Sequence, residues 1–422
     1  MMKKHLLYLF FFALALNACK KDDSDPIIGD VDERLTGTLA DYQAQLVGAE
    51  FGWKAYLLTN NKTPATFLFN FTNKNRVTME ANYEPGANES SYRLKALQKP
   101  ALLFDSYSTL HLLADPNPNV YGGATAAGYS SDFEFAFLSS SADTIKLEGT
   151  FNKSKLLLIR SKSKEESEAV FTSVEDVSDV VSKVKTYFKR TIIGGIECEL
   201  NLNGNAQTLS LSYLDGGTLK TVKSSYYVDQ TTIQLYEPLV IGKTSISKLE
   251  RLSFDSATGI LNTKAGGEII QIKEAIKPMQ YDITAAKKWF NNPPNGYYWF
   301  TDGFTVDGID DAYGVKTIPG YNYLIFYSAY RPQYSRLGFI VNGGYAAYGP
   351  APIAIFPDDG TIKFNNAGFF GTAPAEIRPI VTNTQNNLFL TAGFYAIQTD
   401  VKGGAFDLVS VSDARTWISF RR

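Results

Sequence analysis

The sequence predicts a mainly β chain of the α+β type, with antiparallel sandwich or open-barrel sheets in two or three domains and a few amphipathic helices at the domain starts. Three observations carry this. Short apolar-polar alternating runs recur along most of the chain, separated by Asn, Gly, Pro and Asp clusters that turn hairpins. Two stretches instead repeat apolar residues at steps of three and four, and a third, shorter one fits a helix. A chain of 422 residues is also too long for one ordinary core.

The first helical stripe is Leu35, Leu39, Tyr42, Leu46 and Ala49, with Asp32 able to cap its start and Gly52 following its end, so a helix is expected from Asp32 to Glu50. Strands are expected next at Trp53 to Leu58, Thr66 to Phe71, Arg76 to Glu80, Ser91 to Leu97, Ser108 to Leu113, Asp132 to Leu138, Thr144 to Phe151 and Lys155 to Ser161. Val174, Val177, Val181, Val184 and Phe188 predict a second helix over Phe171 to Arg190, with Ser173 and Asp176 as a capping-box variant. Strands resume at Glu197, Leu209, Val222, Thr232, Ser247 and Glu268. A short helix fits Thr284 to Phe290, and Asn291-Asn292-Pro293-Pro294 breaks it before a third β-rich block. The expected division is 32–165, 166–280 and 281–422, preceded by a leader of residues 1–18 and a tether of residues 19–31.

The leader has a physical reading of its own. Lys3-Lys4, an apolar run from Leu6 to Leu16 and small residues before Cys19 describe a cleaved export signal, and the run is too short to span a bilayer. Leu16, Ala18 and Cys19 resemble the lipobox of bacterial lipoproteins, which implies acylation of Cys19 and a membrane partner reached through lipid alone. Lys20-Lys21-Asp22-Asp23-Ser24-Asp25-Pro26 cannot pack a core and reads as a flexible tether. Its charge order resembles the export signal of surface-displayed lipoproteins, so the outer face of the outer membrane is the expected address, with the periplasmic face as the alternative.

Composition excludes several functions. The net charge is −2, and it becomes more negative once Lys3 and Lys4 leave with the leader, so nothing drives binding to nucleic acid. The chain has two cysteines and two histidines. After loss of the leader His111 is the remaining histidine, which removes zinc sites built from several His or Cys ligands. Cys198 sits on the apolar side of an alternating run between two glutamates, as a buried, inert thiol would. Gly242-Lys243-Thr244 looks like the tail of a phosphate loop, yet Glu237 stands where glycine is needed, so a turn is expected. No Gly-x-Ser-x-Gly elbow accompanies His111, which is read as a structural histidine on a strand. A carboxylate pair acting on a glycan stays open as an alternative, because 43 acidic residues allow many pairs.

Two candidate sites remain. Asp302, Asp307, Asp310 and Asp311 could offer oxygens to calcium, although their spacing departs from the helix-loop-helix pattern and Asp-Gly pairs also make plain turns. No other cofactor is indicated. The segment from Tyr297 to Tyr348 is far richer in aromatic residues than the chain as a whole. Within it, Tyr321 to Tyr330 is apolar on both alternating faces, as in a strand covered on two sides. Tyr330, Arg331, Tyr334, Arg336, Tyr345 and Tyr348 lie where the pattern predicts exposure, and rigid rings beside hydrogen-bonding groups suit a glycan or a peptide.

A family resemblance enters through the opening of the exported chain. Asp32-Glu33-Arg34-Leu35, Leu39, Tyr42 and Leu46, then Glu50-Phe51-Gly52-Trp53-Lys54 and Tyr56, just after the lipidation signal, resemble a family of secreted lipoproteins known as domain of unknown function 4302. The resemblance implies association with outer-membrane uptake systems of the starch-utilisation type, and it brings no catalytic residues. The expected function is therefore a surface-anchored, non-catalytic binding or accessory component of a glycan uptake system, in contact with its transporter complex. A glycan hydrolase and a protein scaffold are the alternatives.

Overall fold

A computed structural model of the chain describes residues 31–96, 99–294, 296–344, 348–400 and 403–422. The leader, Cys19, the tether up to residue 30 and Tyr345 lie outside the described residues. By packing, the chain divides into two compact units, one running to Ala55 and including Leu68–Lys162, the other Tyr56–Phe67 with Ser163–Arg422. The fold is mainly β with antiparallel sheets, as expected.

Helix α1 (Val31–Val47) precedes a closed eight-stranded barrel, β1 (Trp53–Leu58), β2 (Pro64–Phe71), β3 (Arg76–Ala81), β4 (Glu84–Ala96), β5 (Pro100–Phe104), β6 (Glu134–Ser141), β7 (Thr144–Gly149) and β8 (Lys155–Arg160). Period-two alternation builds the barrel core: on β7, Ile145 and Leu147 are buried while Lys146 is exposed. The end of α1 is tied down by the Trp53 indole, which donates to the Leu46 carbonyl at 2.9 Å, and Arg160 lies over the Trp53 ring while donating to the Gly48 carbonyl.

Between β5 and β6 the expected strand at Ser108 to Leu113 is instead a helical turn, α2 (Thr109–Leu112), followed by α3 (Pro118–Tyr121). The reason is local. The His111 ring reaches back so that its Nδ1 accepts from the Ser108 backbone N–H at 3.2 Å, which caps the turn in place of a ladder partner.

The second barrel follows the short helices α4 (Lys164–Glu168) and α5 (Ser173–Ser182). Its strands are β9 (Phe188–Ile193), β10 (Ile196–Asn203), β11 (Thr208–Asp215), β12 (Thr218–Asp229), β13 (Thr232–Ile241), β14 (Thr244–Asp255), β15 (Ile260–Ala265) and β16 (Glu268–Ala275). Closure runs through β16 and β9, with Ala275 opposite Phe188. That closure ends the predicted helix early: Val184 and Phe188 continue the helical stripe, yet Phe188 is needed in the strand that completes the ring. The predicted Ser173 cap is also displaced, since the helix starts from Thr172 with no side-chain bond to its backbone. Inside, Val177 and Val181 of α5 meet Leu200, Leu209, Leu211, Ile233, Ile246 and Ile272. Each such side chain contributes roughly 1.5–3 kcal/mol by leaving water. Cys198 belongs to this core, and burial pushes its thiol up to about 11. Gly242 and Lys243 form the two-residue turn between Ile241 and Thr244, with Gly242 at φ +56°, so this segment is a hairpin, as expected.

The last block opens with α6 (Ala285–Asn291). Its sheet is ordered β20 (Tyr334–Val341), β19 (Tyr321–Arg331), β17 (Tyr298–Thr301), β25 (Thr416–Arg421), β24 (Ala405–Ser410) and β23 (Phe394–Gln398), with β18 (Thr305–Val306) also pairing β25. A hairpin of β21 (Gly349–Ile355) and β22 (Lys363–Phe370) and a helix α7 (Arg378–Leu388) complete it. One face of the sheet is core: Trp299, Leu324, Phe326, Leu337, Phe406, Leu408, Ile418 and Phe420 pack with Trp289 of α6 and with Val381 and Leu388 of α7. The sequence reading missed α7, whose stretch from Arg378 to Leu388 is rich in Asn, Thr and Gln and shows only a thin apolar stripe.

Candidate functional site

The opposite face of that sheet is where the aromatic segment surfaces. Register assigns its residues. Tyr298 stands opposite Tyr327, and Phe300 opposite Ile325 and Arg421, while the intervening Trp299 and Thr301 point into the core. The expectation that Tyr321 to Tyr330 is covered on both sides holds in the middle, where Leu324, Ile325 and Phe326 are all buried, but not beside it, where Tyr323 is exposed and Tyr327 half-buried.

A backbone irregularity extends this row of rings. Tyr327 and Tyr330 are three residues apart and would fall on opposite faces of a regular strand. The register of β19 against β20 shifts between Tyr327 and Arg331, and Ala329 adopts φ +49° there. The buried Ser335 hydroxyl accepts from the Ala329 N–H at 3.1 Å and holds the bulge. The bulge brings the Tyr330 ring to 5.7 Å from Tyr327. From there the contacts run on: Tyr330 to Phe370 at 5.6 Å and Tyr334 to Phe370 at 5.7 Å. In the other direction they run Tyr327 to Tyr298 at 5.0 Å, Tyr298 to Phe300 at 5.2 Å and Phe300 to Tyr323 at 4.9 Å. Most of these pairs meet edge to face or tilted, the favoured arrangements for rings.

Two cations flank the Phe370 end. The Arg336 guanidinium lies 4.6 Å from the Phe370 ring centre and 5.5 Å from that of Tyr330, and Arg331 lies 5.2 Å from Tyr330. Thus four of the sequence candidates, Tyr330, Arg331, Tyr334 and Arg336, are brought together around a residue that was not among them, Phe370. Its signal was present in Phe369-Phe370-Gly371, two adjacent rings that cannot both face inward on a strand; in the structure Phe369 is exposed and Phe370 half-buried. Tyr348 does not join them. It is 4% exposed and packs on Phe339 at 5.4 Å, because the bridge between Phe339 and Tyr348 places its ring on the core side.

The aspartates weighed as calcium ligands against plain turns do not converge. Asp302 pairs with Arg421 at 2.6 Å and accepts from the Tyr321 hydroxyl at 3.1 Å. Asp307 pairs with Arg415, and Asp310 with Lys316. Asp311 accepts from the backbone N–H groups of Val315 and Lys316 and so anchors a short 3₁₀ turn. Among the described residues no group of three His, Cys, Asp or Glu side chains gathers to hold a metal ion. His111 is sandwiched between Tyr107 and Phe133, and burial lowers its proton affinity below that of an ordinary imidazole. Its Nδ1 is occupied by Ser108.

A family model described as domain of unknown function (DUF4302) matches residues 30–253. No curated protein matches the chain in sequence. Among solved structures, similarity is found to an octameric penicillin-binding protein homologue from Pyrococcus abyssi, at 12% identity over 36% of this chain and 37% of that one, with a TM-score of 0.16. The chain therefore spans little more than a third of that protein's length. Isotype 1 transferrin binding protein B from serogroup B Neisseria meningitidis is matched at 7% identity, over 88% of this chain and 74% of that one, with a TM-score of 0.16. The DNA polymerase III subunit beta of Pseudomonas aeruginosa is matched at 8% identity, over 92% and 97%, with a TM-score of 0.15. Scores this low do not indicate a shared fold.

Proposed function

The chain belongs to the DUF4302 family, and we propose that it is a lipid-anchored, surface-displayed component of an outer-membrane nutrient-uptake system that holds glycans on the outer face of its third sheet. The carrying observation is the row of rings ending in Tyr330, Tyr334 and Phe370 beside Arg331 and Arg336. Ring faces cover the apolar C–H surfaces of a sugar, and guanidinium groups at the rim donate to its hydroxyls. The address rests on Lys3-Lys4, the apolar run, Cys19 and the acidic tether. The matched family residues stop within β14, so the ring-bearing sheet lies beyond the matched part of the chain.

A glycan array probed with the chain starting after its tether, with and without calcium, tests the ligand. Binding that disappears in Tyr334→Ala and Phe370→Ala supports the reading. An array without hits sinks it in favour of a protein partner of the uptake complex, a second reading favoured by the breadth of the ring row across β17 and β19. Fractionation tests the address: Cys19→Ser should leave the membrane, and protease shaving of intact cells should separate surface display from the periplasmic face.

A further inference from the structure

The outer face of the third sheet does not end at the rings. Antiparallel register carries the same face across β25 and β24, where Arg421 stands opposite Phe300, Ser419 opposite Asp407, and Trp417 opposite Val409. Here the face becomes one wall of a cleft of about 650 Å³. Tyr187 and Lys189, beside and on β9, and Asn201 on β10 line it as well. That volume is typical of pockets that enclose a small organic ligand. Phe300, the near end of the ring row, is thus one strand away from the cleft wall.

We propose that this cleft is a second glycan subsite, holding the terminal residue of a neutral oligosaccharide whose following residues lie along the ring row. The inference rests on the glycan reading above and extends it. The cleft contains an acid that accepts hydrogen bonds from hydroxyls: Asp407 accepts from the Tyr187 hydroxyl at 2.6 Å and from Ser419, although burial raises its proton affinity above the usual carboxylate range. It contains an aromatic wall, since the half-buried Trp417 ring meets Tyr187 edge to face at 5.5 Å. Neutral donors and acceptors at Asn201, Ser178 and Thr399 complete the lining.

The charges select against ionic ligands. The Asp310 carboxylate at the cleft is paired with Lys316 at 3.4 Å. The Arg421 guanidinium is paired with Asp302 at 2.6 Å, and the Lys189 ammonium donates to the Thr186 carbonyl at 2.6 Å. An ionic ligand would lose its hydration there and would have to break one of these contacts. Hydroxyls suffer neither cost.

Because the two subsites share one face, a chain long enough to reach both gains affinity over a short one. Calorimetry with gluco-, manno-, xylo- and galacto-configured neutral oligosaccharides of two to seven residues reads this directly. Affinity is expected to rise with length by about tenfold or more. Trp417→Ala and the isosteric Asp407→Asn should remove that rise and leave the shortest bound ligands unchanged, whereas Phe370→Ala weakens every length. Asn201→Ala, at an exposed position, repeats the test without disturbing packing. Length-dependent affinity untouched by all three cleft variants overturns the second subsite while leaving the ring row standing. Tighter binding of acidic oligosaccharides or free amino acids overturns it on ligand class. Failure of the whole panel to bind overturns the glycan reading itself, and this subsite with it.

Discussion

The second barrel and the third sheet use the same alternation to opposite ends. In β10 of the barrel, Cys198 and Leu200 point inward while Glu197 and Asn201 face water. In β17 of the sheet, Trp299 and Thr301 point inward, but the outward positions are Tyr298 and Phe300. A barrel closed on itself needs one apolar face and no more, and polar groups outside keep it soluble. The sheet has filled its core just as completely, with Trp289, Trp299, Phe326 and Phe420 fully or almost fully buried. Its second row of rings adds little that folding requires. Aromatic surface left half in water is what the proposed contact surface rests on.

That contrast can be broken at either face. The largest effect is expected inside: Trp299→Ala should destabilise by about 3–5 kcal/mol and Leu209→Ala in the barrel by about 2–5 kcal/mol, both measured by urea unfolding. Equal loss from Phe370→Ala would erase the distinction between the faces. Next comes binding, where Phe370→Ala should cost tenfold or more in glycan affinity with a stability loss of about 1–2 kcal/mol, well below that of Trp299→Ala.

A smaller effect lies in the pH dependence at the cleft. Burial lowers the Lys189 ammonium to about 8, opposed by Glu274. Below pH 8 both folded and unfolded chains carry the proton, and the full penalty is present. As pH rises above 8 the folded chain sheds it first, the unfolded chain binds more protons, and stability increases. Lys189→Met should flatten this rise, expected at roughly 1–3 kcal/mol for a largely buried amine, in unfolding midpoints taken from pH 7 to 10. Above pH 10 the buried Tyr187 and Tyr236 hydroxyls, both raised well above the usual phenol range by burial, reverse the slope. The smallest effect is a null: in a chain lacking Cys19, the Cys198 thiol should resist labelling at pH 8 until the barrel unfolds, and rapid native labelling would place it outside the core.

Much of this architecture was legible because it is local. Period-two runs announced most strands, Gly242-Lys243 announced its hairpin, and the stripe from Leu35 to Leu46 announced α1. The errors occurred where a short apolar run suits two structures. Ser108 to Leu113 became helix because His111 could cap it, and Val184 to Phe188 left the helix because β9 had to close a ring. The site was half legible. Tyr330, Arg331, Tyr334 and Arg336 stand near a hairpin turn where exposure is predictable, whereas Phe370, Asp407 and Trp417 reach the same face from strands remote in sequence.

By itself the sequence determined that this chain is a β protein with an aromatic-rich final block, because strand period, turn residues and composition act over a few neighbours. Only the tertiary structure decided which rings face out and which of them meet. The bulge at Ala329, the closure of β16 on β9 and the register of β17 between β19 and β25 each depend on partners far along the chain. Shifting any register by one residue would exchange the core face for the contact face.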